Sequence, residues 1–252
     1  VEIVHRDEGD LLYWTDGNVS PKGLIIDKVA AGTYGTVELA YIEAAKRPPL
    51  QPAIVVYGND STRSTNGLRR KLYQLKYRWV YDDLSKSTWS PISQTPVPAN
   101  LVGTDVDLDA TKNNYIATTI ETGKENVTEI EVAAHENIGN LWGDFFIVST
   151  LNKSDLGIAD EVQYQYNFYN DSIYPPIDVK ESNLLFDWLP LLAKSMVLAN
   201  GNVLVYGAIT EGYDKIPQTD LDVEMSVTQI KNTGADEGAP AITYIQEAAP
   251  SP

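Results

Sequence analysis

The sequence predicts a mainly β protein: an antiparallel β-sandwich over residues 50–152, with flanking strands and one short helix. Three observations predict it. Tyr73, Leu75, Tyr77, Trp79 and Tyr81 alternate with Gln74, Lys76, Arg78 and Val80, and a period of two puts the aromatic residues on one face of a strand. Several further short apolar runs follow within about a hundred residues, separated by turn residues, as a sandwich requires. Fifteen tyrosines and five tryptophans stand against two methionines, a bias towards strands over helical bundles.

At 252 residues, 43% apolar and 21% charged, the chain has the length and composition of a folded protein with a real core. It has no cysteine, which removes disulfides, thiol nucleophiles and cysteine metal sites. Its net charge of −16 comes from 35 acidic and 19 basic residues. Such a surface repels a phosphate backbone, so at most weak, passing contact with DNA is expected. One basic cluster, Arg63, Arg69, Arg70, Lys71, Lys76 and Arg78, ends in alternation along a strand and reads as a solvated β face. The first residue is Val1 and the last stretch is linker-like, so the chain reads as a processed product or a piece of a longer polypeptide.

Residues 1–49 read as an N-terminal β segment. Leu11–Trp14 is a short strand, Thr15–Asn18 a hairpin-type turn, Leu24–Ile26 a second strand, Ala30–Gly35 a small-residue loop, and Thr36–Ile42 a third strand. Paired prolines at 48 and 49 mark a boundary. Inside 50–152, the aromatic strand is followed by a turn at Asp82–Ser85 and by Thr88–Ile92, an edge strand tolerant of Pro91. Tyr115–Ile120, Val127–His135 and Trp142–Leu151 are the next strands.

Residues 153–231 read as a connector, a short helix and strands packing with the N-terminal segment. Val162–Tyr169 alternates as a strand. The helix is placed after Asp187: Pro190 suits a first turn, Leu189, Leu192, Ala193 and Met196 fall on one helical face, and Gly201 closes it. The apolar run Leu184–Ala199 is too short to span a bilayer and carries Asp187, Lys194 and a proline, so no membrane insertion is expected. Val203–Tyr206 and Leu221–Ile230 are further strands. Residues 232–252 read as a flexible arm, in which Ala241–Gln246 has the pattern to join a neighbour's sheet edge.

No catalytic, cofactor-binding or metal residue is assigned, no cofactor is expected, and the chain is read as a non-enzyme. His5 and His135 are the only histidines, and His135 ends an alternating strand, a structural position. Nucleophile-elbow and phosphate-loop motifs are missing from the sequence. Asp105, Asp107 and Asp109 alternate as calcium ligands do. Ala110 and Ile116 stand where a calcium loop of that type needs glycine and glutamate, so the stretch reads as a solvated loop. The Tyr-Trp-Thr-Asp motif at 13–16 occurs once, whereas a propeller would repeat it about every forty residues.

Two resemblances are carried by particular residues. Tyr73 to Leu151 resembles a fibronectin type III domain. Tyr73–Tyr81 stands where that family has its third strand and Val127–Asn137 where it has its sixth; Ile130 stands where the family usually carries tyrosine. Over nearly the whole chain, the order Tyr-Trp-Thr-Asp-Gly (13–17), Tyr-Arg-Trp-Val-Tyr-Asp-Asp (77–83), Trp-Ser-Pro-Ile-Ser (89–93), Phe-Asp-Trp-Leu-Pro-Leu-Leu-Ala-Lys (186–194) and Gly-Asn-Val-Leu-Val-Tyr-Gly-Ala-Ile-Thr-Glu-Gly-Tyr-Asp (201–214) resembles structural tail proteins of phages that infect Bacteroidetes. The likeness is in particular to the tail muzzle (nozzle) proteins of crAss-like phages. That resemblance implies a virion tail component, a fragment of a larger protein, joined to other copies of itself and to neighbouring tail proteins in an oligomeric ring around the DNA exit path. The alternative from the residues is a carbohydrate-binding or adhesion sandwich, with exposed aromatic rings stacking on sugars.

Overall fold

The computed structural model describes residues 1–7, 9–34, 37–69, 71–97, 112–138, 141–184, 189–200 and 203–211. All of them fall within one compact unit, Val1–Lys215. The expectations for Asp105, Asp107, Asp109, Asp187, the strand Leu221–Ile230 and the arm 232–252 lie outside the described residues.

The N-terminal segment forms a three-stranded antiparallel sheet, β1 (Glu2–Val4), β2 (Leu11–Trp14) and β3 (Lys22–Ile25). Asp16 closes the β2–β3 turn by accepting from the N–H groups of Asn18 and Val19, while Gly17 takes the left-handed φ of +75°. Two short helices follow, α1 (Ile26–Ala30) and α2 (Leu39–Ile42). Of the strand expected over Thr36–Ile42, Leu39–Ile42 is corrected to a helical turn, and Thr36 lies outside the described residues. Tyr41 lies stacked on Tyr34, centroids 4.9 Å apart, a contact between aromatic rings that the alternation did not reveal.

The sandwich is built from two sheets. One has the order β10 (Gln163–Phe168), β6 (Tyr115–Glu121), β4 (Ile54–Gly58). The other centres on β7 (Val127–Ile138), with β5 (Leu72–Tyr81) on one side and the short β8 (Leu141–Trp142) and longer β9 (Phe146–Asn152) on the other. The spatial order β5-β7-β9 is that of strands C, F and G in an immunoglobulin-like sandwich. The sandwich extends beyond residue 152, because β10 pairs with β6 along its whole length.

Burial follows the predicted alternation. Tyr73, Leu75 and Tyr77 are fully buried between the sheets, against Ile130 and Val132 of β7 and against Ile116, Ile120 and Phe168 of the facing sheet. Burying residues of this size contributes on the order of 2 kcal/mol each, which is what holds the two sheets face to face.

Residues 87–93 lie on the free edge of β5 with an unusual period. The N–H groups of Ser87, Ser90 and Ser93 donate to the carbonyls of Trp79, Tyr77 and Leu75, at 2.8–2.9 Å. The Oγ atoms of the same serines accept from the N–H groups of those same three residues, at 2.9–3.1 Å. Three residues of this segment thus oppose two of β5, one extra residue per step, as in successive β-bulges. The edge strand expected at Thr88–Ile92 is corrected accordingly: Pro91 falls at a position that needs no N–H, and hydroxyls complete the ladder.

The largest correction concerns the predicted helix. Leu192–Ala199 is a strand, β11, paired with β12 (Val203–Thr210) in an antiparallel hairpin. Leu192 and Met196 share a face at i, i+4 in either structure, because four is both a multiple of the strand period and close to one helical turn. Asn200 takes a left-handed φ of +51° at the hairpin turn, a conformation that suits Asn. Among the described residues the helices, including α3 (Lys153–Leu156) and α4 (Val179–Ser182), have four or five residues each.

Candidate functional site

The outer face of β5 and β7, expected to be solvated, is covered. Lys76 and Arg78 are 2% and 4% exposed. Register places Lys76 opposite Ala133, Arg78 opposite Glu131 and Gln74 opposite His135. Trp89 inserts between the two cations, and Phe145 stands on the far side of Lys76. Arg78 lies 4.3 Å and Lys76 4.9 Å from the centroid of Trp89, and Lys76 is 3.7 Å from that of Phe145. His135 continues the stack between Phe145 and Trp142, at 4.0 and 4.4 Å. The result is one ladder in which cations and rings alternate from Arg78 to Phe145, drawing on cation–π attraction, and stacked rings continue it through His135 to Trp142.

Ion pairs and α4 close the ladder. Arg78 Nε donates to Glu131 at 2.7 Å, Lys86 donates to the second oxygen of Glu131 at 2.8 Å, and Arg78 Nη2 meets Glu181 at 2.7 Å. Lys76 Nζ donates to the Ser182 carbonyl at 2.6 Å. The strap that carries α4 is itself pinned to the edge of β9, where Ile147 N–H donates to Pro175 O and Ile177 N–H to Phe145 O. Burial, helped by neighbouring Arg78, lowers the Lys76 pKa to about 8, against an upward pull from Glu181. Burial likewise lowers His135 to about 4, opposed by a hydrogen bond with the Gly143 backbone and aided by the charge of Lys76. For Glu131 burial works upward, but the bonds and charges of Lys86 and Arg78 prevail and hold its carboxyl below the usual range.

A second cluster joins the N-terminal sheet to the sandwich. Asp82 accepts from Lys28 at 2.8 Å and from the Tyr34 hydroxyl, and Asp83 pairs with buried Lys46 at 2.8 Å. The carboxylate of Asp82 and the charge of Asp83 add to burial in raising the Tyr34 pKa. These polar groups act as a clamp between chain segments 37 to 54 residues apart. His5 is bonded to Asp10 at 2.9 Å on the surface and stands apart from both clusters.

A cleft of about 400 Å³ opens at one end of the sandwich, between Trp79, Tyr81, Val127 and Val162. Its rim carries Arg47 and Lys124 on one charge and Glu121 and Glu161 on the other. Trp79 Nε1 donates to the Glu121 carbonyl at 3.0 Å, and Tyr81 donates to the Arg47 carbonyl at 2.7 Å, so both rings are fixed. Gly123 takes φ +67° beside Trp79, where a Cβ would stand 3.0 Å from the ring, and its carbonyl accepts from Glu161 N–H at 2.7 Å.

Strand edges are the remaining feature. β4 pairs with β6 alone, and β12 with β11 alone, among the described residues. Ile54 and Val56 of β4 are 57% and 59% exposed, and Val203 and Val205 of β12 are each 51% exposed. Among the described residues no group of three or more His, Cys, Asp or Glu is placed to hold a metal ion, and no helix is long and apolar enough to cross a membrane. Nothing in the sequence signalled the ladder's cover, since α4 and Phe145 lie far along the chain from β5. Comparison of the chain with protein-family models, with curated proteins and with solved structures found no match.

Proposed function

We propose that this chain is a structural subunit of a phage tail, of the muzzle type, joined to other copies of itself and to neighbouring tail proteins around the DNA exit path. One observation carries the reading: two strands, β4 and β12, present apolar side chains beside an edge unpaired among the described residues, on a strongly acidic chain. Natural sheets guard such edges with lysine, proline or cover unless another chain docks there. β4 (Ile-Val-Val-Tyr-Gly) and β12 (Val-Leu-Val-Tyr-Gly-Ala-Ile-Thr) contain no charged residue and no proline. The buried ladder and the Asp82–Asp83 clamp suit this role, since they hold the sheet of β5 and β7, on which the sheet of β4 packs, and the N-terminal segment, whose β1 lies against β11. The net charge of −16 supports it too, because a DNA conduit works best without holding DNA tightly. Quantitative mass spectrometry of purified phage particles is the test. The reading expects this chain in the tail in multiple copies, and its absence from particles overturns the reading.

The cleft at Trp79 supports a second reading, a saccharide-binding module. A fixed indole beside charged and amide groups is a platform on which a sugar ring stacks. Glycan-array binding that is lost in Trp79→Ala and kept in Trp89→Phe favours that reading.

A further inference from the structure

We propose that copies of this chain join head to tail, with edge strand β12 of one copy adding to edge strand β4 of the next. The inference rests on the assembly reading and names the partner of those edges: a second copy of this chain.

The two edges complement each other. On the hairpin, register sets Val197 opposite Val205 and Ala199 opposite Val203, so these residues share one face. Val197, Val203, Val205 and Ile209 are 57%, 51%, 51% and 48% exposed, while Met196, on the other face, is 8% exposed. The base of the hairpin is held: Thr15 Oγ1 donates to Ala193 O, and β11 lies against β1. Anchoring through β11 leaves β12 as the outer strand. An isolated two-stranded hairpin is marginal in water, and adding it to a larger sheet supplies the missing neighbour. On β4, Val55 and Tyr57 pack against the core while Ile54 and Val56 face out. A strand laid along that edge satisfies its unpaired backbone groups and extends the outer apolar row, as in β-augmentation.

Both surfaces are free of carboxylates. From Leu189 to Thr210 the only charged residue is Lys194, and from Ala44 to Gly58 the charged residues are Lys46 and Arg47. A contact between these stretches brings no carboxylate against another, on a chain that carries 35 of them. Each copy has one edge of each kind. A contact between unlike patches is heterologous, and such contacts close into rings when the rotation allows.

The test uses the full chain and two edge variants, Val56→Lys and Val205→Lys, followed by sedimentation velocity over a range of concentrations. The wild-type chain is expected to form concentration-dependent oligomers. Each variant alone is expected to be monomeric, because either edge is needed for every contact. An equimolar mixture is expected to give dimers and nothing larger, because one intact β12 meets one intact β4. Circular dichroism and thermal melts matching the wild type confirm that both variants fold. If Val56→Lys associates as the wild type does, the hairpins pair with each other and the head-to-tail contact is wrong. A wild-type chain that stays monomeric at all concentrations overturns the inference and assigns the edges to residues 212–252 in cis or to a different tail protein. The chain's presence in tails is measured separately, so either failure leaves the assembly reading to its own test.

Discussion

Lys76 Nζ stands 3.7 Å from the centroid of the Phe145 ring, on a sheet face that the alternation of β5 marked as polar. The ammonium is buried there with one carbonyl acceptor, Ser182 O, and two aromatic rings. Neighbouring Arg78 is buried too, but it pairs with a buried carboxylate. The two cations therefore respond differently to removal.

Arg78→Ala leaves Glu131 at 8% side-chain exposure without its guanidinium, and is expected to cost roughly 3–5 kcal/mol in urea melts. Lys76→Met keeps the aliphatic contacts, removes a buried charge and is expected to change stability by about 1 kcal/mol or less. Equal losses in the two variants contradict the assignment of Glu131 to Arg78.

Lys76 also predicts a pH dependence. Its pKa falls from an ordinary 10.5 to about 8 in the fold. Between those values the unfolded chain holds more protons than the native one, so stability rises with pH across the window of about 8 to 10.5. The measurement is the difference between wild type and Lys76→Met, which cancels the titration of the tyrosines. A difference that is flat across that window contradicts the lowered pKa.

His135 predicts the opposite limb. Its pKa falls from 6.5 to about 4, so the stability it contributes is complete above pH 6.5 and is lost as the pH falls towards 4. His135→Phe keeps a ring between Trp142 and Phe145 but cannot titrate. Thermal melts from pH 7 to 4 are expected to show wild type losing more stability than the variant. Parallel curves sink the idea.

Ser90→Ala removes the Oγ that accepts from Tyr77 N–H and leaves a buried donor unpaired, at an expected cost of about 1–3 kcal/mol. Amide hydrogen exchange at Tyr77 is expected to accelerate more than at Ile130. Unchanged exchange at Tyr77 contradicts the serine ladder.

Gly123→Ala puts a Cβ 2.8 Å from Val127 Cγ2 at a φ of +67°, with an expected loss of about 1–3 kcal/mol. Gly143 has only one atom near its added Cβ, at 3.7 Å, so Gly143→Ala serves as the mild control. Equal melts for the two variants contradict the tight turn beside Trp79.

The fold was legible where one period governed. Tyr73, Leu75 and Tyr77 announce a buried strand face, and Gln163–Phe168 alternates as expected. At Leu192–Ala199 two periods agree with the same residues, and only pairing with Val203–Thr210 decides between them. The signal for that hairpin is Asn200-Gly201 between apolar runs, a turn dipeptide that reads equally as a helix end. The buried ladder was not legible, because Lys76 and Arg78 look solvated until residues about a hundred positions away cover them. Serines at 87, 90 and 93 gave a visible period of three that matches neither strand nor helix. Similarly, the segment 153–182, with its paired prolines, reads as a connector, yet β10 and the strap at 175–177 are woven into the two sheets.

Hydrogen exchange of the chain, isolated at low concentration and then within purified tails, separates edges that join subunits from edges that stay open. Strand edges that join subunits predict that amides of Ile54–Gly58 and Val203–Thr210 are slowed in the tail, with the interior strand Val127–Ile138 equally slow in both forms. If the chain is present in tails and both edges exchange as fast there as in the free chain, those edges do not join subunits and the account is wrong.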